Sequence, residues 1–259
     1  MRQGAAAGEK LAEQFGPGPL TTFSKRHQFR RLPGGLDTVG IRMPSHPVAR
    51  ALIRCRVPLQ PFCQYLRYPS PTTAAHVMRD MQGKIAAVVD GGPCTVGVES
   101  TVISLEGADS VRILRPGYVT KEMLESVAAH VSLDPAILHQ LKEGQTVRSP
   151  GMKYKHYSPR AHVILADGSW KGFAALVEQR KTAHTYALVF DGEGETLSVP
   201  ILTYGKNDQE QAQQIFSKLR ELDDLGAQLV FVRAPSADGV GLAVYNRLIR
   251  AAGFEVIQV

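Results

Sequence analysis

From Ala161 to Ala252 strand-like and helix-like runs alternate, and no other feature limits the fold of this 259-residue chain so tightly. Val163–Ala166, Tyr186–Asp191 and Leu229–Val232 are short apolar runs of strand length, while Phe173–Arg180 and Leu242–Ala252 carry helical spacing. Asn207 with Glu210 three positions on is a capping-box spacing, and the helix behind it shows an inward stripe of Ala212, Ile215, Phe216, Leu219 and Leu222. Gly253 ends the last helix. Strand–helix alternation of this kind predicts a small α/β domain with a mostly parallel sheet.

The first half follows a looser grammar. Residues 1–15 read as a short helix, and Gly16-Pro17-Gly18-Pro19 turns into a strand at Leu20. A strand is predicted over Leu36–Met43, then a helix with Pro47 in its first turn running to Ile53. Ser70 and Pro71 repeat that pattern as N-cap and first residue of a helix over Thr72–Met81. Lys84–Asp90 reads as a buried strand, Ser100–Leu105 and Val111–Leu114 as two more, and Thr120 as the cap of a helix through Val127. Residues 132–160 hold one short helical piece and the segment SPGMKYKHYSP, whose aromatics and lysines are unusual for an idle spacer. The predicted organisation is a first domain over residues 1–131, a linker over 132–160 and a second domain over 161–259.

Composition mainly excludes. With 44% hydrophobic and 21% charged residues the chain is globular rather than disordered, collagen-like or coiled-coil. Three cysteines cannot build a disulfide framework, no CxxC pair suggests zinc, and no apolar run approaches membrane-spanning length. No signal peptide is visible, so the expected location is the cytoplasm, with no membrane partner. The net charge of +6 is a weak pointer to polyanions, and it is uneven: Lys25, Arg26, Arg30, Arg31 and Arg67 account for five units in two stretches without acids.

Chemistry concentrates between Asp90 and Gly117. A glycine-rich turn feeds Ser100-Thr101 at a strand start, and Arg115 closes a later strand. Hydroxyls at strand ends bind carboxylate or phosphate oxygens without adding charge, and a guanidinium beside them suits phosphate. The same residues also fit a structural use, with Gly91, Gly92 and Gly97 serving turns and the hydroxyls satisfying backbone. His46, His76 and His156 lie too far apart in sequence to suggest a metal set, Asp37 and Asp90 lack a carboxylate at catalytic spacing, and Cys94 has no neighbouring histidine. The loop PSADGVGLAVYNRL lacks GxGxxG and reads as an entry into a helix.

Taken together, GPGPLT (16–21), GLDTVGIRMPSHPVARALI (35–53), PSPTTAAHV (69–77), DGGPCTVGVESTVISL (90–105), ILRPG (113–117), SPGMKYKHYSP (149–159) and PSADGVGLAVYNRLIRAA (235–252) resemble the long form of L-threonylcarbamoyladenylate synthase. The resemblance implies a YrdC-like domain with a twisted mixed sheet, a linker lying over the active site, and a smaller Rossmann-like α/β domain. It implies a nucleotidyltransferase using ATP, L-threonine and bicarbonate, with Mg2+ accompanying ATP. Threonine's amine is carboxylated, the carbamate oxygen attacks the α-phosphorus, and pyrophosphate leaves. The product, threonylcarbamoyl-AMP, then serves N6-threonylcarbamoyladenosine formation in tRNA through a downstream tRNA threonylcarbamoyl transferase machinery.

By motif, the resemblance assigns Thr21, Ser70, Arg115 and Tyr154 to ATP, with Tyr157 as second choice for the residue that closes over the nucleotide. It assigns Ser100 and Thr101 to threonine. No catalytic nucleophile and no protein metal ligand is implied. Three departures bear on activity. The chain starts where the family's first domain is already under way, beyond a threonine-pocket motif and a Lys/Arg pair. Gln60–Arg67 stands where the family has Pro-Ser-Ala-Asn-x-Ser-Gly, and back-translation shifted by one base allows Ser-Pro-Ser-Ala-Asn-Ile-Ser-Gly there. Phe23–Pro33 shows the same symptom with a shift of two bases, which would make the basic cluster accidental. The expectation is therefore an impaired, truncated copy of the enzyme. The alternatives are a non-catalytic relative that binds double-stranded RNA or tRNA and a decayed gene product.

Overall fold

The computed structural model describes residues 3–25, 38–55, 68–139 and 156–259. In chain order they form α1 (Gln3–Phe15), β1 (Leu20–Lys25), β2 (Thr38–Ile41), α2 (Pro47–Arg54), α3 (Ala74–Met81), β3 (Thr101–Leu105), β4 (Ser110–Arg115), α4 (Lys121–Glu125) and β5 (His130–Leu133). A 3-10 turn at Pro135–Ile137 is the helical piece among the described residues of that segment. The rest are β6 (His162–Asp167), α5 (Trp170–Arg180), β7 (Thr185–Val189), β8 (Ile201–Thr203), α6 (Asp208–Asp224), β9 (Leu229–Arg233), α7 (Gly241–Ala251) and β10 (Val256–Gln258). They group into two compact units, the first holding residues 3–25, 38–55 and 99–137, the second 68–98, 138–139 and 156–259.

The first unit is built on a mixed sheet in the order β2-β1-β3-β4-β5. β1 runs antiparallel to β2 and parallel to β3, β3 and β4 are antiparallel, and β4 and β5 are parallel. Its core collects Leu20, Val102, Ile103, Val111, Ile113 and Leu114 with Ala7 and Leu11, one turn apart on α1. One irregularity matters for function. Val102 pairs with Arg115 while Ile103 pairs with Ile113, so Leu114 is an extra residue on β4. A regular ladder would put Leu114 opposite Val102; the bulge puts Arg115 there, at the start of β3.

The second unit has an all-parallel sheet, β10-β6-β9-β7-β8. Successive strand residues face opposite sides, and two cores result. Val163, Leu165, Leu188, Val230 and Val232 pack with Ile215, Phe216, Leu219 and Leu222 of α6 and Val244 and Leu248 of α7. Ile164, Ala166, Ala187, Val189 and Phe231 pack with Phe173, Leu176 and Val177 of α5. The parallel α/β domain read from the alternation is therefore what forms, and the expected stripe on α6 is its buried face.

Caps also follow the sequence. Pro47 opens α2, and Thr120 Oγ1 accepts from Met123 N. Asn207 Oδ1 accepts from Glu210 N at 2.9 Å, while Glu210 reaches back to Lys206 N and the Asn207 side chain. Asn207→Ala should cost ~1 kcal/mol, as for other N-caps, read as a lowered urea midpoint with an unchanged slope.

Two expectations fail. The helix predicted from Ser70 starts three residues later, because Thr73 takes the extended cap conformation and its hydroxyl accepts from His76 N at 3.2 Å. Lys84–Asp90 is no buried strand: Ile85 is 41% and Val89 67% exposed. An apolar run becomes a strand only beside a ladder partner, and no described strand pairs with it. Residues 68–98 pack in the second unit against side chains of α6.

Candidate functional site

Three of the residues singled out by sequence meet in the first unit. Thr21 Oγ1 on β1 lies 2.8 Å from Ser100 Oγ. Arg115 donates from Nε (3.3 Å) and a terminal nitrogen (3.1 Å) to the Ser100 carbonyl, and the same nitrogen stands 3.5 Å from Ser100 Oγ. The parallel pairing of β1 with β3 places Thr21 beside the start of β3, and the β4 bulge brings Arg115 to it from the other side. Ser100 is buried, whereas Thr21 and Arg115 keep partial access to solvent. The arrangement offers two hydroxyls and one delocalised cation along a single strand end, suited to anionic oxygens and lacking a nucleophile–base pair.

Thr101 plays a different part. It is fully buried, its hydroxyl donates to Val119 O at 2.7 Å, and its amide donates to Pro19 O at 2.9 Å. These bonds join the strand start to the turns before β1 and after β4, so Thr101 supports the site from behind. Gly117 fits against it: a Cβ there would meet Thr101 N at 2.4 Å. Thr101 thus has the structural use that the sequence left open for these hydroxyls.

Ser70 belongs to the second unit, where it is buried near the N-terminus of α3. Next to it, the Pro69 carbonyl accepts two bonds from Arg220, and Thr72 Oγ1 lies 2.9 Å from Ser217 Oγ. Sequence reasoning missed this set, since nothing in the spacing of Asp80, Ser217 and Arg220 links them. Gly97 also has a packing role: a Cβ on it would stand 2.2 Å from Ala212 O of α6. Gly92 serves a turn, its amide donating to Asp90 Oδ1 at 2.8 Å.

Tyr154 lies outside the described residues, as do Arg26–Pro33 and Gln60–Arg67. Tyr157, the second choice for a nucleotide-covering residue, is 1% exposed in the core of the second unit, 5.2 Å from the Phe216 ring and with the Arg247 guanidinium 5.9 Å above it. It is an anchor, held at a φ of 62° that a tyrosine adopts at a cost of about 1 kcal/mol. His76 hydrogen-bonds Thr72, and burial together with the nearby Arg220 lowers its pKa. Among the described residues no group of three His, Cys, Asp or Glu could hold a metal ion, and no helix is long and apolar enough to cross a membrane.

Comparison with known proteins covers nearly all of the chain. Residues 119–253 match the family model for the threonylcarbamoyl-AMP synthase C-terminal domain, and residues 3–117 match the model described as telomere recombination. The threonylcarbamoyl-AMP synthase of Pyrococcus abyssi is 36% identical over 260 residues, covering 97% of this chain and 75% of the relative. That of Bacillus subtilis is 37% identical over 260 residues, covering 96% and 73%. The crystal structure of P. abyssi Sua5 complexed with L-threonine superposes with a TM-score of 0.85 at 35% identity, over 97% of this chain and 75% of that one.

Proposed function

Because this chain belongs to the long-form threonylcarbamoyl-AMP synthase family, we propose that its Thr21–Ser100–Arg115 cluster holds L-threonine against ATP. The single observation that carries this reading is that Ser100 joins the other two, its hydroxyl meeting Thr21 Oγ1 and its carbonyl accepting from Arg115. Ser100 takes an oxygen of threonine, Thr101 fixes the strand that presents it, and Thr21 faces the nucleotide. Arg115 spends one edge of its fork on Ser100 O and turns the remainder to ATP phosphate. Ser70 and Tyr154 are assigned to the nucleotide by the family's motifs alone. A relative of this chain has been crystallised with L-threonine, which supports the amino-acid half of the assignment.

The reaction fits such a site. Threonine's amine and bicarbonate give a carbamate with loss of water, a carbamate oxygen attacks the α-phosphorus, and pyrophosphate departs. Positioning and charge neutralisation carry most of that chemistry. Magnesium would accompany ATP and neutralise phosphate charge, without requiring a dedicated protein cage. The product supplies N6-threonylcarbamoyladenosine formation on tRNA by the downstream transferase machinery, and a cytoplasmic location accords with that role.

Turnover in this chain is expected to be low, because the stretches at 23–33 and 60–67 depart from the family's pattern. Pyrophosphate release that requires ATP, threonine and bicarbonate together tests the assignment. Slow release dependent on all three is expected. Brisk turnover would remove the impairment, and failure to bind threonine would remove the assignment. Salt-sensitive tRNA binding with neither activity would favour the RNA-binding relative.

A further inference from the structure

Three points along α6 cradle two loops that come from far earlier in the chain. Near its start, the Ala212 carbonyl sits against Gly97 of the DGGPCTVG segment. Five residues on, Ser217 Oγ meets Thr72 Oγ1 at 2.9 Å. Three residues further, Arg220 donates from Nε (3.1 Å) and a terminal nitrogen (2.6 Å) to Pro69 O, while its two terminal nitrogens reach the Asp80 carboxylate at 3.0 and 2.5 Å. The two loops are themselves joined, Cys94 N donating to Thr72 O at 2.9 Å. Arg79, beside Asp80 on α3, pairs with Asp224 at the end of α6.

Arg220 is the keystone of this set. Its side chain is 7% exposed and that of Asp80 12%, so the charges neutralise each other away from water. A planar fork bonds a carbonyl and a carboxylate at once, which a lysine ammonium cannot reproduce in the same plane. The carbonyl it grips belongs to the residue immediately before Ser70.

We propose that Arg220 is a positioning residue for nucleotide binding, acting from the C-terminal domain through Pro69 O and Asp80 to fix Ser70. The inference rests on the assignment of Ser70 to the nucleotide. It gives α6 a part in nucleotide binding, by setting the loop that carries Ser70.

The test compares Arg220→Lys, Asp80→Asn and Ser70→Ala by calorimetric titration with Mg–ATP and, separately, with L-threonine, in the full chain. Arg220→Lys and Asp80→Asn should each weaken ATP by about tenfold, the worth of one buried charge-assisted bond, and leave threonine affinity unchanged. Hydrogen exchange at the amides of Thr72, His76 and Cys94 should rise in both, whether or not ATP is present. ATP affinity that holds in both variants while Ser70→Ala weakens it would overturn the inference and keep the Ser70 assignment. Equal losses for both ligands would also overturn it, since they would mark general loosening. An unchanged ATP affinity in Ser70→Ala overturns the assignment and the inference with it. Should the unaltered protein bind no ATP, the functional reading fails, and unchanged exchange at those amides would refute the clamp independently.

Discussion

Gly117→Ala should destabilise the first unit by ~3 kcal/mol and abolish threonine binding along with it. The added Cβ would stand 2.4 Å from Thr101 N, 2.7 Å from Thr101 Oγ1 and 2.8 Å from Glu99 O. Two of these atoms are backbone, and the third is fixed by its bond to Val119 O. Nothing there can swing aside. The strain must be taken by the start of β3 or by the turn after β4, and those segments carry Ser100 and Arg115. Urea unfolding and threonine titration on the same variant check both effects; wild-type values in either would refute the close packing as described.

Arg115→Ala should weaken ATP by roughly 100-fold, with Arg115→Lys recovering little of it. Removing the guanidinium takes away the group proposed to meet phosphate, and it also strips two donors from the Ser100 carbonyl. A lysine restores charge without the fork. Because Arg115 is partly exposed, its contribution should shrink with added salt, so the gap between wild type and Arg115→Ala should narrow at high ionic strength. Titration at two salt concentrations measures both the loss and its screening. A loss confined to threonine would reassign Arg115 to the amino-acid side.

Local grammar proved most legible where each signal is self-contained. The Asn207 cap, the α6 stripe, Pro47 and Thr120 depend on neighbours within four residues, and each stands in the fold as the sequence implies. Ser100 and Arg115 were legible as chemistry, but their meeting was not. It depends on one extra residue, Leu114, in a ladder whose two strands read as regular. Lys84–Asp90 misled for the same reason in reverse: β-branched valines describe a preference, and a partner strand decides whether it is used. The short strands β8 and β10 escaped notice because three residues at a sheet edge carry too little alternation to register. Arg220 was invisible as a site residue, since its partners Pro69 and Asp80 lie 151 and 140 positions away.

That last separation has a consequence for how the molecule is made. Translation delivers Pro69 and Asp80 long before Arg220 leaves the ribosome, so the emerging chain holds an aspartate and a carbonyl waiting for a guanidinium not yet synthesised. Closing so long a loop is among the slower, more entropically demanding steps of assembly. On the reading proposed above, the loop that carries Ser70 is therefore set only after α6 has been made and packed on its sheet, whereas Thr21 and Ser100 can meet before it.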